Sequence, residues 1–211
     1  MKKIAIVFGV FVVIVLVLVA IAGGGYNRLV RLSQSTDSHW AQVQNVYQRR
    51  ADLVPNLVAT VSGAANFEKS TLTEITTARA SVGQVKIDPN SAPTDPAKLA
   101  EFEKAQGSLT SALSRLLVVS ENYPALRATE AFRDLQAQLE GTENRISVER
   151  GRFNEAVQAY NTAIKSIPAV FYAGLAGFKE KPYFTATTGA ETPPKVNFNF
   201  NQPAAPAPAK P

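Results

Sequence analysis

Phe132, Leu135, Leu139, Thr142, Ile146, Phe153, Val157, Tyr160 and Ile164 recur three, four or seven residues apart, with no proline among them. That rhythm is the period of an α-helix. It lays one apolar stripe along about nine turns, roughly 49 Å at 1.5 Å per residue. Thr129 stands where an N-cap is needed, Glu130 follows in the positive first turn, and Pro168 stops the run. A stripe of this length cannot be buried by itself. Such rods pack side by side and antiparallel, so the pattern commits the chain to a helical bundle.

Three further helices are expected. The first covers about 26–64, where Leu29, Leu32, Thr36, Trp40, Val43, Val46 and Tyr47 keep the spacing and Val54, Leu57, Val58 and Val61 continue it in phase beyond Pro55. Proline in a helix interior removes a hydrogen bond and clashes with the preceding turn. Because the stripe keeps phase, a kink within one helix is favoured over a break, with Gly63 and Asn66 ending it. The second covers 67–82, with Phe67, Thr71, Ile75, Ala78 and Val82 inward; the third covers 97–122, with Leu99, Phe102, Leu109, Leu113, Leu116 and Leu117 inward. Gly83 to Pro96 reads as the main loop, through Asp88-Pro89-Asn90 and Pro93-Thr94-Asp95-Pro96. Asn122-Tyr123-Pro124 bends or ends the third helix.

The N-terminus is of another kind. The nineteen residues from Ile4 to Ala22 carry no charge and no polar side chain, with Lys2 and Lys3 before them and Gly23, Gly24 and Gly25 after. As a helix they span roughly 28 Å, close to the thickness of a bilayer's hydrocarbon core. A cleaved signal peptide is the competing reading, because Ala20-Ile21-Ala22 before Gly23 resembles a small-residue cleavage site. The apolar run exceeds the 7–15 residues usual in such peptides, which favours an uncleaved anchor. Lys2 and Lys3 on one flank and Arg28 and Arg31 on the other leave the positive-inside rule close to a tie. The absence of cysteine fits an oxidising compartment, so the exported side is preferred for the bundle.

The chain thus divides into a transmembrane anchor and glycine linker over 1–25, a bundle over 26–184, and a Pro/Ala-rich tail over 185–211 that is expected to be disordered or extended. The fold class is all-α: an N-terminal transmembrane helix followed by an antiparallel bundle of about four long helices. The formal charge of +5 overstates the basicity of the bundle. Tyr26 to Phe184 holds 18 Lys and Arg against 16 Asp and Glu, a net of +2, interspersed without a run. Nucleic-acid binding needs a concentrated basic face, so none is expected.

Catalytic chemistry is hard to place. His39 is the one histidine, with no Glu three residues before it, which excludes the Glu-x-x-His pairs of di-iron bundles. Without cysteine, a thiol nucleophile and cysteine-ligated zinc are excluded as well. No nucleophile-elbow Gly-x-Ser-x-Gly and no phosphate-cradling glycine loop occurs. No catalytic, cofactor or metal residue is therefore assigned. A polar constellation remains: Arg49, Arg50, Asp52 and Asn56 on the first helix, and Glu143, Asn144, Arg145, Arg150 and Asn154 on the last, with Asn161 seven residues beyond Asn154. Near a core such groups must be paired. They either fix helix register or face solvent, or they form a groove for a partner; the structural reading is preferred. Phe171, Tyr172, Leu175, Phe178, Tyr183 and Phe184 follow the last helix, and packing as a satellite cluster is preferred over docking at a membrane or partner.

These residues also carry a resemblance. Tyr26-Asn27-Arg28-Leu29-Val30 and Arg49-Arg50-Ala51-Asp52-Leu53-Val54-Pro55-Asn56-Leu57-Val58 resemble the start of LemA family proteins. Leu113-Ser114-Arg115-Leu116-Leu117, Glu121-Asn122-Tyr123-Pro124, Gly141-Thr142-Glu143-Asn144-Arg145-Ile146, Arg152-Phe153-Asn154, Tyr160-Asn161-Thr162-Ala163-Ile164 and Phe178 to Phe184 follow in matching order. The resemblance implies a single-pass protein of the bacterial inner membrane with a bundle of long helices. Members are associated with membranes, some with membrane-bounded organelles, and no catalytic residues carry over. The expected function is a membrane-anchored scaffold or adaptor, embedded in lipid through Ile4 to Ala22 and binding envelope proteins or a second copy of itself. The alternative is an envelope hydrolase or metal-dependent enzyme working through Asp52, Glu68, Glu121 and Glu143, which must then converge in one pocket.

Overall fold

The computed structural model describes residues 2–64 and 67–185, with the backbone alone at 2–5, 7, 18, 21 and 22. Five α-helices follow in order: α1 (Lys2–Ser62), α2 (Lys69–Gln84), α3 (Pro96–Ser120), α4 (Pro124–Arg127) and α5 (Glu130–Lys165), then a 3-10 turn at Ala169–Phe171. Among the described residues there is no strand, so the chain is all-helical. At 61 residues, α1 spans about 90 Å.

α1 is one element through Gly23, Gly24 and Gly25 and on past Pro55. The proline is tolerated for a local reason. Pro55 has no N–H to give the Ala51 carbonyl one turn earlier, and Arg79 of α2 supplies the missing donor: its Nε lies 3.0 Å from that oxygen. Pro55 itself is exposed, so its ring displaces no core side chain. Arg79→Ala is expected to lower stability by about 1 kcal/mol, the net worth of one such bond. The loss should disappear in a Pro55→Ala background, where the helix satisfies Ala51 itself; urea denaturation of the four chains checks this.

The other termini follow their caps. Asp95 accepts from the Ala97 N–H at 2.9 Å and Pro96 opens α3. Thr129 Oγ1 accepts from the Phe132 N–H at 3.4 Å and opens α5. α2 starts two residues later than its apolar pattern, because Glu68 at φ −59°, ψ 110° is not helical. Phe67 still packs on the core, its ring 4.9 Å from that of Tyr123. α3 ends at Ser120, two residues before the expected 122, and Tyr123, before Pro124, is the N-cap of the short α4. Of the two residues expected to end the first helix, Gly63 does follow Ser62, and Asn66 lies outside the described residues.

Leu29 packs with Tyr160 and Ile164 at one end, and Val61 with Phe132 and Leu135 at the other, so α1 and α5 run antiparallel. α2 and α3 complete the far half, with Ile75, Leu109, Leu113 and Leu116 closing over Val54 and Leu57. The middle of the core is aromatic. Trp40 is fully buried, with Phe102, Phe153 and Phe184 at ring centroid distances of 5.4, 5.6 and 6.1 Å, within the range of favourable ring pairing.

The expected anchor, Ile4 to Ala22, lies partly outside this description: nothing is described of the side chains of Ile4, Ala5, Val7, Leu18, Ile21 and Ala22. Among the described residues no helix is long and apolar enough to cross a membrane. The tail from residue 186 onwards is also outside the described residues.

Candidate functional site

Among the described residues, two buried cations and one returning segment organise the polar interior. The first cation is Arg50, in the middle of α1, with its side chain 1% exposed. Its guanidinium joins three helices. Nη1 donates to Glu143 Oε1 of α5 at 2.6 Å and to Thr110 Oγ1 of α3 at 2.7 Å. Nη2 donates to the Gln106 carbonyl at 3.1 Å and to the Gln106 side-chain oxygen. The face of the fork lies 5.1 Å from the Tyr47 ring centroid. Only the planar five-donor fork of arginine meets acceptors arranged in this way. Burial pushes the Tyr47 hydroxyl's pKa up, opposed by the Arg150 and Arg50 charges, so it stays a neutral phenol.

The second cation is Lys181, which lies in the segment after α5. Residues 178–185, here called the strap, run back along α5. Asn161 and Asn154 hold it by the same device. The Asn161 side chain donates to the Lys181 carbonyl at 2.8 Å and accepts from the Lys181 N–H at 3.0 Å. Asn154 does the same for Phe184, at 2.9 Å in both directions. Seven helical residues advance about 10.5 Å, and three extended residues advance about 10 Å. The two amides therefore fall in register with the two strap residues.

At the first of these clamps, the Lys181 side chain turns inward towards α1. Its ammonium donates to Asp37 Oδ1 at 2.7 Å, to Thr36 Oγ1 and to Ser33 Oγ at 3.3 Å, and lies 5.2 Å from the Tyr160 ring centroid. Asp37 Oδ1 also accepts from the Ala92 N–H at 2.9 Å, and Trp40 donates to the Asp88 carbonyl at 3.0 Å. One face of α1 thus fastens both the 85–95 loop and the strap. Burial raises the pKa of the Tyr160 hydroxyl, and the Asp37 charge raises it further.

Arg150 closes the strap's far end. Nη2 donates to Glu103 Oε1 at 2.7 Å and to the Thr185 carbonyl at 3.0 Å, while the guanidinium lies 4.6 Å from the Phe184 ring. Burial raises the pKa of the Glu103 carboxyl; the Arg150 charge and a Thr185 backbone hydrogen bond draw it back. Beside this lies an open cleft of about 590 Å³, lined among others by Arg50, Glu103, Lys104, Glu143 and Arg150.

The polar constellation read from the sequence divides three ways. Arg50 and Glu143 form one ion pair, and Arg150 and Asn154 hold the strap. Arg49, Asp52, Asn56, Asn144 and Arg145 are exposed, Asp52 accepting from Gln48 at 2.8 Å. The four acids considered for catalysis are dispersed. Glu143 serves Arg50, Asp52 meets Gln48, Glu68 accepts from Thr71 at 3.2 Å, and Glu121 is the exposed C-cap of α3. Among the described residues no group of three or more His, Asp or Glu is placed to hold a metal ion. Lys181 and Asp37 escaped the sequence reading. Lys179-Glu180-Lys181 has the look of a solvated charge run, and Asp37 sits in the polar stretch Ser35-Thr36-Asp37-Ser38.

Fold and interior together define an all-helical bundle protein in which, among the described residues, the Arg50 fork nitrogens, the Lys181 ammonium and the Asn161 amide find partners within the chain, the Arg50 Nε having none. It belongs to the LemA family, whose model matches residues 39–198. Among curated proteins it is similar to the magnetosome proteins MamQ 1 and MamQ 2 of Paramagnetospirillum magneticum. Each is 28% identical over 183 residues, covering 80% of this chain and 67% of the relative. Magnetosome protein MamQ of Magnetospirillum gryphiswaldense matches with the same identity and coverage.

Proposed function

We propose that this protein is a single-pass, membrane-anchored helical scaffold of the bacterial envelope that binds protein partners, a second copy of itself included, and carries out no catalysis. The reading rests above all on α1. Phe8, Phe11, Val13, Leu16 and Val19 are 60 to 67% exposed, and Val10, Ile14 and Val17 between them are more than half exposed. A helix that is apolar all round requires a membrane or a core around it. The same helix then becomes the central rod of the bundle without a joint. Such a rod ties the bundle directly to the surface it leaves.

The interior supports a scaffold over a catalyst. The acids the enzyme alternative needs are apart, and the buried cations are taken up by internal acceptors. Relatives named as magnetosome proteins are consistent with assembly at an organelle. The absence of cysteine supports an exported bundle.

Crosslinking in intact spheroplasts tests both parts. Exposed amines such as Lys98 and Lys104 are available to a reagent that cannot cross the membrane. Adducts of higher mass are the expected result. Adducts only with a permeant reagent would overturn the exported placement, and monomer with both reagents would overturn the scaffold.

A further inference from the structure

After α5 the chain makes a tight, ordered turn. Val170 N–H bonds to the Ser166 carbonyl at 2.9 Å, Ala173 N–H to Ala169 at 2.8 Å, and Phe178 N–H to Ala173 at 2.9 Å. The turn is arranged opposite to a folded core. Its small residues point inward, Ala169 and Ala173 packing on Leu29, Tyr160 and Ile164. Its large apolar residues point outward: Ile167 is 80% exposed, Phe171 74%, Leu175 92% and Val170 49%. Elsewhere on the described bundle, exposed large apolar residues are scattered singly, as at Val118 and Val148. A contiguous exposed patch of this kind marks a contact surface.

Its position identifies the contact. The Tyr172 hydroxyl packs directly on α1 at Gly25, where a Cβ would collide with it. The Phe178 ring lies 5.5 Å from that of Tyr26. The turn therefore sits level with Gly25 and Tyr26, within about one helical turn of Ala22, where the apolar run ends. Arg28 and Arg31 are exposed just below. Apolar side chains at the tip, the exposed Tyr26 beside them and cations beneath form the sequence of layers that a lipid boundary accommodates.

We infer that the 166–177 turn is a second membrane contact, with Ile167, Phe171 and Leu175 inserted at the boundary between headgroups and acyl chains. This inference rests on the membrane reading of α1. Two attachments, a spanning helix and an inserted turn, fix the tilt of the bundle, which one helix alone leaves free.

The test uses the full chain reconstituted into phosphatidylcholine–phosphatidylglycerol vesicles whose acyl chains carry bromine at shallow or deep positions. The native Trp40 is buried in the middle of the core and gives a constant background. Leu175→Trp, Phe11→Trp and Val148→Trp each add one reporter at an exposed site. At Leu175→Trp the added emission should fall at least twofold with shallow bromine and less with deep; at Phe11→Trp the deep label should quench more strongly. Val148→Trp should be unaffected. If Leu175→Trp behaves as Val148→Trp while Phe11→Trp is quenched, the inserted turn is wrong and the anchor stands. If Phe11→Trp is unquenched, both readings fall.

Discussion

Replacing Asp37 with alanine is expected to destabilise the bundle by about 3–5 kcal/mol, the usual loss when one member of a buried ion pair is removed. The Lys181 side chain is only 5% exposed, and without Asp37 its ammonium keeps just the hydroxyls of Thr36 and Ser33 and the Ser33 carbonyl. Those groups do not neutralise it. The Ala92 N–H loses its acceptor in the same step, so two segments loosen at once. For a chain of this size the midpoint of thermal unfolding should fall by roughly 10 °C. Limited proteolysis should begin within 179–185, where the strap peels from α5. The combined Asp37→Ala, Lys181→Met chain should recover most of the loss, because replacing both charges of a buried pair is often neutral. Calorimetry on the single and double variants measures both. A double variant no better than Asp37→Ala would show that the charge pair is not what holds the strap.

The second large effect belongs to Arg50. Arg50→Ala leaves a cavity between α1, α3 and α5 and strips Gln106 and Glu143 of their donor. The expected loss is again about 3–5 kcal/mol. Glu143→Gln should cost less, about 1 kcal/mol, because the Glu143 side chain is 43% exposed and a neutral acceptor remains for Nη1. Arg50→Lys should fall between the two, since one ammonium cannot serve acceptors on two helices as a planar fork does. Urea midpoints at constant m-value give the ranking. Arg50→Ala within 1 kcal/mol of the parent, or Glu143→Gln costing more than Arg50→Ala, would remove Arg50 from the centre of this account.

Both predictions concern residues whose hydrogen-bond partners are 55 to 148 positions away in the sequence. That distance separates what could be read from what could not. The stripes on α1, α3 and α5 were legible because a helix repeats every 3.6 residues whatever it packs against. Leu29, Trp40, Val54, Leu99, Leu116, Phe132 and Ile164, all assigned inward, are all buried. The caps at Asp95 and Thr129 involve neighbours only, and Thr129 was read directly. The continuity of α1 past Pro55 was legible from phase, although its cause, the donor from Arg79, lies on another helix. Asn154 and Asn161 were visible as a pair on one face. What they hold was not visible, because a groove lined by amides looks the same whether a foreign peptide or the chain's own strap lies in it.

Local periodicity and capping are properties of neighbours along the chain, so the sequence alone determined the helices, their inward faces, the apolar first segment and the family likeness. Which helix meets which, that Lys181 is buried while Arg49 is not, and that residues 178–185 return to fill the groove along α5 were decided only in the tertiary structure. The physical reason is the cost of burying charge and amide groups. It can be met only by acceptors brought from distant parts of the chain, and the order of residues does not record which parts those are.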